Sequence, residues 1–194
     1  MNLYFLLEDE KSFLKTLPFW LEHMNFKCSR VADIQEVRKN NYVLQSGQGV
    51  TQLVTKALFD TIDTLLLNPG KIDMLVIILD AEELEVDARR QNVNEQIRNH
   101  YVDRSFDFDI ELLICNHCFE TWLLGHCGLY PTEYPDRKSD FYKYYTNFNV
   151  EEDDPEKMRP PEGDKDTIGN IIFIISMNCC GTIRLGIQKI TPKM

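Results

Sequence analysis

An apolar run of six residues, MLVIIL at 74–79, constrains the fold of this chain more than any other feature. Both alternating sets of its side chains are apolar, so a strand here must be covered on both faces. That is typical of an interior strand of a parallel sheet. Two similar runs, LYFLL at 3–7 and IELLIC at 110–115, predict further buried strands.

Helical patterns alternate with these runs. Apolar residues recur at helical spacing from Glu10 to Met24, where Pro18 indicates a kink or a break. A second helix is predicted from Thr51 to Leu67, and a polar helix at roughly 84–99. Strands alternating with helices predict an α/β fold with an open, mainly parallel sheet and helices on both faces.

The remaining segments are less regular. FKCSRVA at 26–32 is a candidate strand, and residues 39–50, rich in Asn and Gly, indicate a loop. Residues 131–168, rich in Pro and aromatic residues and then in acids, suggest an insertion. The predicted organisation is therefore a main α/β domain at 1–130, this insertion, and terminal strands at 169–194 that complete the same domain.

Composition limits the kinds of protein this chain can be. The formal net charge of −10 argues against a surface built for non-specific nucleic-acid binding, and half of that charge lies in the acidic segment 151–166. No apolar stretch reaches the length of about 18 residues that a membrane helix needs. The N-terminus lacks the basic region of a signal peptide, and six irregularly spaced cysteines indicate reduced thiols. These features predict a cytoplasmic protein without a membrane partner.

Acidic residues follow two of the predicted strands. Glu8 comes directly after the first strand, and Asp80 and Glu82 follow the run at 74–79. If extended backbone persists through Ala81, Asp80 and Glu82 point to the same side. Carboxylates that converge at the carboxyl ends of parallel strands repel one another, and a bound Mg²⁺ would relieve that repulsion. The alternative is that these acids are solvent-facing loop residues.

The same positions resemble a known family. A strand ending in Glu, followed by a helix and a strand ending in Asp-x-Asp, is similar to the TOPRIM pattern, here LYFLLEDEKSFL and MLVIILDAEE. The segment NHCFETWLLGH at 116–126 resembles NPCFE-x-WLL-x-H of RloB-like TOPRIM proteins, which are associated with bacterial defence loci, as OLD-type nucleases are. The resemblance covers roughly residues 1–127. Asp9 stands where the family usually has Gly, and Glu82 stands at the third position of Asp-x-Asp.

The resemblance implies a nuclease that uses Mg²⁺ or Mn²⁺ to hydrolyse DNA or RNA, acting in antiviral defence. By position, Glu8, Asp80 and Glu82 would be the catalytic and metal-binding acids, and Glu120 a further catalytic candidate. Glu120 is alternatively a capping acid in the first turn of a helix. The departures from the pattern and the acidic charge favour an alternative, a catalytically inactive module that binds a partner ATPase or sensor protein. Both interpretations are compatible with an oligomer.

A group of cysteines and histidines surrounds Glu120. Cys115 and Cys118 have the spacing of half a zinc site, and His126 and Cys127 could supply the other ligands. A redox pair would require an exposed first cysteine. The third interpretation is a set of packed thiols beside a strand–helix junction, because a cysteine in an apolar strand usually behaves as a small buried hydrophobe.

Two further segments have several interpretations. SGQGV at 46–50 lacks the Lys-Ser/Thr of a Walker loop, so it predicts a tight turn before the helix at 51–67, with phosphate contact at that helix as an alternative. DFYKYYTNF at 140–148 has aromatic residues that either stack on single-stranded bases or dock the insertion or a partner.

Overall fold

A parallel sheet of five strands organises the chain. The computed structural model describes residues 1–9 and 13–119. The strands are β1 (Leu3–Leu7), β2 (Ser29–Arg30), β3 (Asn41–Ser46), β4 (Met74–Asp80) and β5 (Asp109–Cys115). Their order is β2-β3-β1-β4-β5, and every neighbouring pair is parallel. The predicted open α/β sheet is therefore confirmed, and it is compatible with a Rossmann-like fold.

The helices connect successive strands. They are α1 (Phe13–His23), a 3₁₀ turn (Ile34–Glu36), α2 (Val50–Gln52), a π-helical turn (Leu53–Ala57), α3 (Leu58–Leu66) and α4 (Val86–His100). Each of the three predicted helices is present within a few residues of its expected bounds. Pro18 lies inside α1.

The core lies on both faces of the sheet. One face packs β1 and β4 against α3 and α4, with Leu6, Ile77, Ile62 and Val93 among its fully buried residues. Burying each aliphatic side chain of this kind stabilises the fold by roughly 1.5–3 kcal/mol. The buried residues of α1, including Phe13, lie outside that cluster and cover the other face. The helices therefore flank the sheet as predicted.

β4 is an interior strand, as its apolar sequence predicted. It pairs with β1 on one side and β5 on the other, and residues Leu75 to Leu79 are all buried.

The prediction of a loop over residues 39–50 was wrong, because residues 41–46 form β3. This strand pairs with β1 from Leu3↔Tyr42 onward. Its apolar part is only three residues, Tyr42 to Leu44, and the flanking Asn and Gly residues concealed it. The strand predicted at 26–32 is reduced to the two exposed residues of β2.

Several predictions lie outside the described residues. They are the domain boundary near residue 130, the insertion at 131–168 and the terminal strands at 169–194. Among the helices of residues 1–9 and 13–119, none is long and apolar enough to cross a membrane.

Candidate functional site

The carboxyl ends of β1 and β4 meet where the strand order reverses. The chain passes from β1 to β3 on one side, then crosses to β4 on the other side of β1. In open parallel sheets such a switch point leaves a crevice where ligands bind. Glu8 follows β1, and Asp80 is the last residue of β4.

Glu8 joins the strand ends through its backbone and its side chain. Its N–H donates to the carbonyl of Ile78 at 3.0 Å, and its carbonyl accepts from the N–H of Gly49 at 2.7 Å. Its carboxylate Oε2 accepts from the backbone N–H of Asp80 at 2.6 Å. The structure therefore brings two of the predicted site residues together.

Two glycines let the loop after β3 approach Glu8. A Cβ on Gly47 would lie 2.7 Å from Cβ of Leu53, and Gly49 has a φ of +96°, which is a left-handed backbone. The N–H of Gly47 donates to the carbonyl of Leu7 at 2.6 Å. The predicted tight turn before the helix is confirmed, while phosphate contact at this loop stays a prediction.

Asp80 lies beside Cys115 in the register of β4 and β5. The Cys115 thiol is fully buried and hydrogen-bonds to the Asp80 carboxylate. Burial raises the pKa of this thiol strongly, and the negative charge of Asp80 raises it further. Cys115 therefore stays protonated, which is the opposite of what a redox nucleophile needs.

Glu82 does not continue the strand. Its φ is +53°, and its N–H donates to the carbonyl of His117 at 2.7 Å. Because this left-handed residue turns the chain, the alternating strand pattern does not extend to Glu82. The Glu82 carboxylate instead lies 3.3 Å from Nη2 of Arg89 on α4, with half of its side chain exposed.

The Glu8 carboxyl is electrostatically unusual. Burial raises its pKa above the ordinary value, and the negative charges of Glu82 and Asp9 raise it further. The hydrogen bond from the N–H of Asp80 and the charge of Arg89 partly oppose this rise. Glu8 therefore takes up a proton at higher pH than an exposed glutamate does.

Arg89 is a site residue that the sequence analysis missed. It is buried, and its Nη2 donates to the carbonyl of Ala81 at 3.1 Å as well as to Glu82. The available signal was its spacing of four and eight residues from Val93 and Ile97, which places it on the buried face of α4.

Oxygen ligands for a cation are present at this edge. Mg²⁺ is commonly held by one or two protein carboxylates, with waters and phosphates completing its coordination. Glu8 and Asp80 could provide those carboxylates. Residues 1–9 and 13–119 contain no group of three or more His, Cys, Asp or Glu side chains arranged to hold a metal ion. Glu120, His126 and Cys127 lie outside the described residues, so the zinc alternative stays a prediction.

Comparisons with protein-family models, curated proteins and solved structures found no match to this chain.

Proposed function

We propose that this chain is a TOPRIM-fold protein similar to RloB-like and OLD-type nucleases, and that it hydrolyses phosphodiesters of DNA or RNA in antiviral defence with Mg²⁺ or Mn²⁺. The observation that carries the proposal is the 2.6 Å contact between the Glu8 carboxylate and the N–H of Asp80. It joins the two strand-end acids at the switch point of the sheet.

The donor chemistry fits a hard divalent cation. Asp80 and Glu82 would hold the ion, with the Glu8 carboxylate beside them. The ion, when bound, would neutralise charge on the phosphate oxygens. The Cys115 thiol stays protonated and hydrogen-bonds to Asp80. The ion would therefore be bound by carboxylate oxygens and not by this sulfur.

Glu8 is suited to accept a proton from the attacking water. A general base works best when its pKa lies near the operating pH, and burial moves the pKa of Glu8 upward in that direction. Glu8 is also held in place by its backbone bonds to Ile78 and Gly49. Its carboxylate would therefore need little reorganisation. Glu120 would be a further acid of the same site.

A second function is supported by different observations. Glu82 is paired with Arg89, and Asp9, where the family usually has Gly, accepts a hydrogen bond from the N–H of Phe13 at 3.1 Å in α1. The net charge of −10 also disfavours a polyanion. These features favour a catalytically inactive TOPRIM-like module that binds a partner ATPase or sensor.

One assay separates the two functions. DNA and RNA are incubated with the wild-type protein and Mg²⁺ or Mn²⁺, beside Glu8→Ala, Asp80→Ala and Glu120→Ala, with Glu83→Ala as the control for an exposed acid. We expect cleavage that is lost in Glu8→Ala and Asp80→Ala and kept in Glu83→Ala. Cleavage unchanged in both of the first two variants would overturn the site. No cleavage by the wild-type protein, alone or with its partner, would favour the binding module.

A further inference from the structure

Arg89 is a buried cation in an otherwise polar helix. Only 9% of the residue is exposed, and it occupies the inner face of α4 with Val93 and Ile97. At that spacing an apolar residue is expected. Burying a guanidinium is costly unless its charge and its donors are satisfied, so its presence calls for partners.

The partners of Arg89 are incomplete among the described residues. Nη2 donates to the carbonyl of Ala81 and, at 3.3 Å, to the Glu82 carboxylate, whose side chain is half exposed. Nε is buried and has no hydrogen-bond acceptor within residues 1–9 and 13–119. One exposed carboxylate at this distance balances a buried charge poorly.

The guanidinium also lies close to the strand-end acids. Its Nη2 donates to the carbonyl of Ala81, which is the residue that follows Asp80 at the end of β4. Its charge lowers the pKa of Glu8 against the stronger effect of burial. Arg89 therefore shares the electrostatic environment of the crevice.

We propose that Arg89 binds a phosphate oxygen of the nucleic-acid backbone, and that Glu82 forms an ion pair with the guanidinium while no nucleic acid is bound. This inference rests on the proposed function, since it assigns a substrate contact to the same site. A planar guanidinium can pair with a phosphate through two parallel hydrogen bonds, whereas Glu82 makes a single contact with Nη2 at 3.3 Å. A half-exposed carboxylate is readily displaced, so the exchange replaces one anionic partner of Arg89 with another.

The test measures the binding of a short fluorescein-labelled DNA oligonucleotide by anisotropy in EDTA, where metal ions and cleavage play no part. Arg89→Leu suits the apolar face of α4, and its folding is checked by circular dichroism. Arg90→Leu is the matched control, because Arg90 is the adjacent residue and donates to the carbonyl of Leu112 at 2.9 Å. We expect Arg89→Leu to weaken binding roughly ten- to hundredfold and to lower the salt slope by about one, and Arg90→Leu to change binding only a few-fold.

A second pair of variants tests the exchange. Glu82→Gln removes the carboxylate that competes for Arg89, while Glu83→Gln makes the same charge change at the next, exposed residue. We expect Glu82→Gln to bind the oligonucleotide more tightly than Glu83→Gln does. Adding Arg89→Leu should abolish that gain.

Three results would overturn the assignment. They are equal effects of Arg89→Leu and Arg90→Leu, equal effects of Glu82→Gln and Glu83→Gln, or no binding in EDTA by both the wild-type protein and Glu82→Gln. Each would leave Arg89 as a structural ion pair. Metal-dependent cleavage that still requires Glu8 and Asp80 would then show that the proposed function stands without this contact. If cleavage does not require Glu8 and Asp80 while binding still depends on Arg89, the contact stands and the proposed function fails.

Discussion

The hydrogen bond from Asp80 to Glu8 makes two substitutions at Glu8 differ in stability. Glu8→Gln removes the charge but keeps an oxygen that accepts from the N–H of Asp80, 2.6 Å from Oε2 in the wild-type protein. Glu8→Ala removes the acceptor and leaves the N–H of Asp80 without this hydrogen bond. Both variants should lose cleavage. They differ in whether an oxygen accepts from the N–H of Asp80, so the difference in their stabilities measures this hydrogen bond.

The structure sets the size of this difference. A buried donor that loses its acceptor costs about 1–3 kcal/mol, and the site is only partly buried, so the lower part of that range applies. We expect Glu8→Ala to be about 1–2 kcal/mol less stable than Glu8→Gln. That corresponds to roughly a tenfold change in the unfolding equilibrium.

The charge of Glu8 adds a pH dependence. Its folded-state pKa is raised above the ordinary value of 4.5, so the fold favours the protonated carboxyl. The stability that this proton contributes is complete below the unfolded-state pKa and is lost as pH rises through the raised folded-state value. Glu8→Gln does not ionise. It should therefore gain stability relative to the wild-type protein as pH rises from about 4 to about 8.

Urea unfolding followed by circular dichroism at both pH values measures these effects. Glu83→Gln is the control, because it removes an exposed carboxylate from the turn that follows β4. Equal stabilities of Glu8→Ala and Glu8→Gln would refute the hydrogen-bond argument. A pH-independent difference between Glu8→Gln and the wild-type protein would refute the role of burial.

Three further predictions concern the surroundings of the site. Gly47→Ala should destabilise the fold by about 1–3 kcal/mol, because its Cβ would meet fully buried Leu53; an unchanged urea midpoint would contradict this. Tyr101→Phe should cost about 1 kcal/mol by removing a hydroxyl that lies 2.9 Å from a carboxylate oxygen of α3, and an equally stable variant would argue against that bond. Iodoacetamide should leave Cys115 unmodified in the native protein while it labels half-buried Cys28, because burial raises the pKa of the Cys115 thiol; peptide mass mapping that finds Cys115 labelled first would disprove it.

Part of the fold was predictable because β1 and β4 are apolar and buried on both faces. Burial on both faces leaves a continuous pattern in the sequence at 74–79, and helical spacing located α1 and α3. β3 was missed because its apolar part is three residues long and its stability comes from pairing with β1. Such tertiary pairing has no local signal.

The site was predictable only in part. Parallel strands place their carboxyl ends at one edge, which correctly brought Glu8 and Asp80 together. The direction of Glu82 depends on a left-handed backbone that its residue type does not favour, so the sequence did not reveal it. Arg89 was missed because burial of a cation depends on partners from another element of the chain.

The contact between Glu8 and Asp80 joins residues 72 positions apart. Glu8 is synthesised early, but Asp80 is synthesised only after β3 and α3, at the end of β4. A nascent chain or a proteolytic fragment that ends before β4 contains the glutamate but not the strand end beside it. The activity proposed for this site would therefore be absent from chains that end before β4.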